Sequence, residues 1–221
     1  MIVFKIALVI VISYLLGSLN FSIIVSRKCV HKDIRESGSH NAGATNMLRT
    51  NGKKYAVLTF FGDVFKLFVA VFIAYLIIGQ NDFNNNAYLF KSVAGLACVI
   101  GHMYPCFFSF KGGKGVSVCA GMVACIDWRI ALVLIVVFAV VVLISKYVSL
   151  GSIIISLCYP ILTYIMFIPD SITLNTTFVS ERWIATLVAL IFTLIVVIKH
   201  SVNIKRLING SESKISLKSK K

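Results

Sequence analysis

The segment DIRESGSHNAGATNMLRTNG, residues 33–52, sets two arginines around a run of glycines, small residues and neutral hydrogen-bonding groups. Gly38 and Gly43, with Ser39, Ala42, Ala44 and Thr45, permit tight turns and close approach of backbone amides to a ligand. Ser39, Asn41, Thr45 and Asn46 add neutral side-chain donors, and Arg35 and Arg49 add forked cationic ones. Those are the groups that hold an oxyanion or a phosphate. A solvated turn ahead of a helix beginning near Ala42 would use the same glycines and serines but has no need of an arginine at each end.

A second cluster lies in GHMYPCFFSFKGGKGVS, residues 101–117. Lys111 and Lys114 flank Gly112 and Gly113, Gly115 follows, and an apolar helical run starts at Val116. Glycines at a helix N-terminus are expected to expose N–H groups, where the helix dipole favours an anion. It is not a Walker A loop, because Phe108 stands where the first glycine would be and Gly115 follows Lys114. A basic membrane-flanking loop with flexible glycines is the competing reading. His102, taken alone, reads as an interfacial hydrogen-bonding group.

The third cluster is KHSVNIKRLINGSE, residues 199–212. His200, Asn203 and Arg206 recur every third residue, so on a helix they make one polar stripe with Ile204 and Leu207 beside it. An amphipathic membrane-flanking helix would look the same. Asp63 and Lys66 sit within an apolar run, where a charge costs about 2.5–3.5 kcal/mol on insertion scales. A paired structural role inside a helix bundle is expected for them.

The elements that carry these clusters are membrane spans. Of 221 residues 58% are hydrophobic and 14% charged. Apolar runs near the roughly 20 residues that cross a bilayer as helix occur at 2–25, 55–78, 88–108, 150–168 and 183–199. Residues 116–145 read as one short or tilted span followed by an ordinary one. The expectation is an all-α integral membrane protein of about seven helices, a single domain over 1–221, with the N-terminus outside and the C-terminus cytoplasmic. Segments 26–54, 109–115, 146–149 and 199–221 hold 7, 2, 1 and 7 Lys or Arg, 17 of the 22 present, and all would face the cytoplasm. Residues 1–25 are expected to remain as a span, since no small-x-small cleavage site follows their apolar core. The net charge of +14 is spread over membrane-flanking segments, which points to an anionic leaflet and not to nucleic acid. The six cysteines lie mostly within spans with no C-x-x-C pair, as small packing residues do.

In order along the chain, GSLNFSIIVSR, DIRESGSHNAGATNMLR, GDVFK, GHMYPCFFSFKGGKGVS, YVSLGS and HSVNIKRLINGSE resemble the bacterial acyl-phosphate glycerol-3-phosphate acyltransferases. The resemblance implies a multi-pass enzyme of the bacterial inner membrane, its active site facing the cytoplasm. It would pass a fatty acyl group from acyl phosphate to position 1 of glycerol 3-phosphate, giving lysophosphatidate and inorganic phosphate. No cofactor or metal is implied. The substrates, membrane lipid and an enzyme that forms acyl phosphate are the implied partners. Carried onto this chain, the resemblance implies catalytic roles for Ser39, Arg49, Lys114, His200 and Asn203. Asn41, Thr45, Asn46, Lys111, Gly112, Gly113, Gly115 and Ser149 would bind substrate or phosphate, and Glu212 would hold structure. Three positions depart from the family pattern: His40 stands for a glycine, Ser201 for an arginine and Asn20 for a proline. The first is expected to tighten its turn unless His40 tolerates the backbone angles, and the second removes a cation.

The chemistry suits this inventory. An acyl phosphate is already activated, and its leaving group departs with negative charge that cations and oriented amides stabilise. The protein then has mainly to position two phosphates and an alcohol. No His-x4-Asp pair, Ser-His-Asp set or Cys-His pair occurs, and His31 with Glu36 is the nearest approach to the first. The resemblance implies that a substrate phosphate, with a second pKa near 6, takes the hydroxyl proton. A small transporter for phosphorylated anions would use the same cations, but the polar groups gather at one face and the spans have few with which to line a path.

Overall fold

The computed structural model describes residues 2–166 and 176–215, with side chains described from Arg182 onward in the second stretch. Among the described residues there is no strand. The helices divide into two compact units, residues 1–126 and 127–221.

The first unit opens with α1 (Ile2–Ser18) and α2 (Phe21–Val25), which runs into a π-turn at Ser26–Val30. A 3-10 turn, Ile34–Glu36, leads to α3 (Ala44–Asn51), α4 (Lys53–Ile78), α5 (Gln80–Asn85) and α6 (Ala87–Met103). A second 3-10 turn, Cys106–Phe108, precedes α7 (Val116–Ile126). The second unit comprises α8 (Trp128–Ser145), α9 (Val148–Met166), α10 (Thr176–Lys199) and α11 (Ser201–Ile208). Among the described residues, six segments are long and apolar enough to cross a membrane: Ile2–Val30, Lys53–Ile78, Ala87–Phe108, Trp128–Ser145, Val148–Met166 and Arg182–Lys199. The chain is a multi-pass membrane protein. Its seventh apolar helix, α7, has 11 residues, about 16 Å of rise against a hydrocarbon core of about 30 Å. The division of 116–145 falls at Asp127, whose carboxylate caps α8 by accepting from the Arg129 N–H at 2.9 Å and pairs with the Arg129 guanidinium at 2.7 Å. Burial opposes ionisation there, but these bonds hold the Asp127 carboxyl below its ordinary range.

In lipid, close backbone contact does what solvent exclusion does for a soluble core. On α1 and α6 that contact is made by glycine. A Cβ on Gly17 would overlap the Cys98 carbonyl, and one on Gly101 would overlap the Tyr14 carbonyl. At one end of this pair, Val9, Ala74, Ile78, Phe83, Phe90 and Ala94 form a buried cluster. Beneath the 33–52 segment, Ile23, Ile34, Ala42, Met47 and Ala56 form another, so the polar loop rests on an apolar floor.

The first span is broken at Leu19 and Asn20. A break inside lipid leaves backbone groups without helical partners, and each must be satisfied by protein. Here Lys66 reaches across from α4 and donates to the carbonyls of Gly17 at 2.9 Å and Leu19 at 3.0 Å. Asp63, one turn earlier, pairs with Lys66 at 3.0 Å and accepts from the Phe21 N–H at 3.4 Å. The cation thus lies at the carbonyl end of α1 and the anion at the amide end of α2, as the helix dipoles favour.

Candidate active site

Asn46 organises the first loop. It is 1% exposed, and its amide nitrogen donates to the carbonyls of Ile34 at 3.1 Å, Ser37 at 2.9 Å and Asn41 at 3.1 Å. Its oxygen accepts from the Ser39 N–H at 2.9 Å. Gly38, at φ +62°, leaves room for that amide, since a Cβ there would overlap Asn46 Oδ1. Asn46 therefore shapes the loop that presents Ser39, Asn41 and Thr45, all half-buried, rather than offering its donors to a ligand. Arg49 lies half-buried in the last turn of α3.

Arg35 is a correction to the sequence expectation. Its guanidinium faces Asp33 through Nε at 3.0 Å and Nη2 at 2.8 Å, while Nη1 donates to the carbonyls of Phe108 at 2.8 Å and Lys111 at 3.1 Å. Instead of gripping a phosphate, it ties the first loop to the second. Arg27, which sequence reasoning passed over, adds two bonds to Asp33 at 3.1 and 2.8 Å. Hydrogen bonds from Arg35 and Arg27 hold the Asp33 carboxyl well below the usual carboxylate range, and Asp33 in turn raises the Arg35 guanidinium. A depressed carboxyl contributes stability above its unfolded pKa, so this tie persists through mild acid and is lost only as pH falls through the depressed value.

The glycine loop also differs from expectation. The Gly112 N–H donates to the Met103 carbonyl at 3.2 Å and the Gly113 N–H to the His102 carbonyl at 3.1 Å. These two amides close the loop onto the end of α6. Glycine is required by crowding: a Cβ on Gly112 would overlap the His102 carbonyl, and one on Gly113 would overlap His102 Nε2 and the Ala42 carbonyl. Gly115, at φ +81°, turns the chain into α7. Lys114 is half-buried between these glycines and Lys111 is exposed. The first two motifs are thus brought together, with Gly113 against Ala42 and Arg35 across to Phe108 and Lys111.

In the second unit, Glu212 is the centre. Its Oε1 accepts from Ser149 Oγ and from Asn203 Nδ2, each at 2.9 Å, and its Oε2 is buried with no hydrogen-bond partner among the described residues. Through these bonds Glu212 ties α9 to α11. Ser149, expected at a substrate, has its hydroxyl on Glu212. His200 marks the step from α10 to α11, is 2% exposed, and donates from Nδ1 to the Val196 carbonyl at 2.8 Å. That bond leaves Nε2 as the basic nitrogen of the neutral ring. Ser201 is exposed at the start of α11.

The other departures have local compensations. His40 adopts φ +59°, and its Nδ1 donates to the Arg35 carbonyl at 3.0 Å. Left-handed backbone costs about 1–2 kcal/mol in most residues, and histidine is among those that enter it more readily. Replacing His40 by glycine removes both the strain and the bond, so Tm is expected to stay near wild type. His40→Val, which keeps the strain and loses the bond, is expected to cost about 1–2 kcal/mol in detergent unfolding. Asn20, buried where a proline is usual, caps α2 by accepting from the Ile23 N–H at 3.3 Å and reaches the Ala42 carbonyl at 3.5 Å.

A family model described as glycerol-3-phosphate acyltransferase matches residues 7–210, spanning both units. The glycerol-3-phosphate acyltransferase of Clostridioides difficile (strain 630) is 38% identical over 220 residues, covering 98% of each chain. That of Mycoplasmopsis agalactiae is 37% identical over 219 residues, covering 92% of this chain and 91% of its own. Among solved structures, the glycerol 3-phosphate form of PlsY (YgiH), an integral membrane glycerol 3-phosphate acyltransferase, is 34% identical with a TM-score of 0.80 and covers 96% of both chains. Its lysophosphatidic acid form is 32% identical with a TM-score of 0.77, covering 96% of this chain and 95% of the other. With a likeness this long in sequence and in structure, the chain belongs to the glycerol-3-phosphate acyltransferase family.

Proposed function

We propose that this enzyme acylates position 1 of glycerol 3-phosphate with acyl phosphate as donor, giving lysophosphatidate and inorganic phosphate, the entry step of phospholipid synthesis. The hydroxyl oxygen of glycerol 3-phosphate attacks the acyl carbonyl carbon, the bond from that carbon to the phosphate oxygen breaks, and phosphate leaves with the electron pair. The hydroxyl proton passes to a substrate phosphate, whose second pKa near 6 suits a base at neutral pH. Lys114 neutralises the departing phosphate, Ser39 and Arg49 hold substrate, and His200 and Asn203 serve glycerol 3-phosphate. Asn46, Gly112, Gly113, Ser149 and Glu212 keep the loops in shape. The observation that carries this reading is the joining of the serine–arginine loop to the lysine–glycine loop through Arg35, whose Nη1 donates to the Phe108 and Lys111 carbonyls.

Purified protein given palmitoyl phosphate and glycerol 3-phosphate should consume both and release phosphate, and no consumption would end the proposal. In the same assay, Arg49→Lys should raise the KM for glycerol 3-phosphate about tenfold or more, because an ammonium cannot reproduce the bidentate grip of a guanidinium. An unchanged KM would remove Arg49 from that substrate.

The enzyme is placed in the bacterial inner membrane with its motifs facing the cytoplasm, supported by the 17 of 22 basic residues in four segments. For those segments to share a face, α7 must carry the chain across despite its length. Single cysteines at Ser39, Lys111 and Ser211, in a chain lacking its native cysteines, should resist an impermeant thiol reagent in intact cells, while one at Asn85 reacts. The reverse pattern would invert the topology.

A further inference from the structure

Asp63, Lys66 and His102 are each at most 3% exposed. Lys66 Nζ lies 3.0 Å from His102 Nδ1, in addition to its bonds to the Gly17 and Leu19 carbonyls. An ammonium has three hydrogens and no lone pair. Four acceptors surround it here, two carbonyls, a ring nitrogen and Asp63 Oδ1 at 3.0 Å, so the ammonium faces each of them only as a donor. His102 Nδ1 therefore carries a lone pair, and the ring proton sits on Nε2. Asp63 Oδ1 is 3.4 Å from the same Nδ1, but both atoms are acceptors in this arrangement, and the ammonium between them is what holds them together. Asn20 Nδ2 approaches Nδ1 at 3.5 Å from a further side.

The opposite edge of the ring borders the glycine loop, since a Cβ on Gly113 would overlap His102 Nε2. The His102 carbonyl receives the Gly113 N–H at 3.1 Å. One residue thus holds Gly113 by its backbone and by its ring. Asp63 extends the arrangement to the other side of the loop, accepting from Ser117 Oγ at 3.3 Å in the first turn of α7. Holding a helix break together would not by itself require a histidine, and apolar residues of similar volume often replace a buried ion pair without loss of stability.

We infer that His102 is a positioning residue for the acyl-transfer reaction: Lys66 and Asp63 set its tautomer and ring plane, and its carbonyl and Nε2 edge set Gly113 and the backbone from which Lys114 projects. The kinetic consequence rests on the proposed use of Lys114 on acyl phosphate, whereas the structural consequence does not.

The test uses the full chain in nanodiscs. His102→Phe keeps the ring and loses both nitrogens, His102→Gln retains a nitrogen donor near the Nε2 position, and Asp63→Asn with Lys66→Met removes both charges at similar volume. Amide hydrogen exchange of peptides covering 104–118 should quicken about tenfold or more in His102→Phe and in the double variant, with partial recovery in His102→Gln. The kcat/KM for palmitoyl phosphate should fall about tenfold or more, while the KM for glycerol 3-phosphate stays within about twofold. Folded variants with wild-type exchange and wild-type kinetics would overturn the inference. Faster exchange in a chain whose wild type does not turn over acyl phosphate would sink the donor assignment and leave the positioning role standing. Should the variants not fold, imidazole 15N shifts decide in a chain with His31→Asn and His40→Asn. One Nε2–H tautomer, from His102, and one Nδ1–H tautomer, from His200, are expected, and any other pair refutes the arrangement.

Discussion

Lys114→Ala is expected to lower kcat/KM for acyl phosphate by about 2–4 kcal/mol, roughly 30- to 900-fold, the cost of removing a group that stabilises charge developing in a transition state. The phosphate of the donor gains charge as its bond to the acyl carbon breaks, and a half-buried ammonium beside it acts with less screening than one in open solvent. Lys111→Ala is the control. Lys111 is exposed and contributes its carbonyl, not its ammonium, to the Arg35 tie, so its loss should change kcat/KM less than about threefold. A thioester donor presents neutral sulfur where acyl phosphate presents an anion, so acyl-CoA and acyl-carrier-protein should not replace acyl phosphate. Initial rates with each donor in nanodiscs check both points. An undiminished Lys114→Ala enzyme, or thioester turnover at matching rates, would remove this mechanism.

The largest effect on stability is expected from Asp63→Ala, about 3–5 kcal/mol, because breaking a buried pair from one side leaves its partner charge uncompensated. Lys66 would keep its carbonyl acceptors at the α1 break and lose its counter-ion, while the Phe21 N–H and the Ser117 hydroxyl lose their acceptor. Asp63→Asn combined with Lys66→Met should recover part of that loss, since no charge remains to be solvated in lipid although the Gly17 and Leu19 carbonyls lose their donor. Unfolding in mixed detergent–SDS micelles measures all three chains. Equal stabilities would show that the pair is not buried as described.

The helices were legible in the sequence because in lipid a helix satisfies its backbone within its own segment, so length and hydropathy suffice to locate it. The split of 116–145 was legible for the same reason: Asp127 and Arg129 interrupt the apolar run and form a cap two residues long. The three motifs and the pairing of Asp63 with Lys66 were legible as polar groups in apolar surroundings. Which donors remain for a ligand was not. Arg35 bonds Phe108, 73 residues away, Lys66 bonds His102, 36 residues away, and Ser149 bonds Glu212, 63 residues away. Each of those bonds exists only once particular segments lie side by side, and periodicity along one segment carries no information about its neighbour. The glycine loop shows the same limit. Its composition announces room for close approach, but only the tertiary structure shows that the carbonyls of His102, Met103 and Ala42 come close to Gly112 and Gly113.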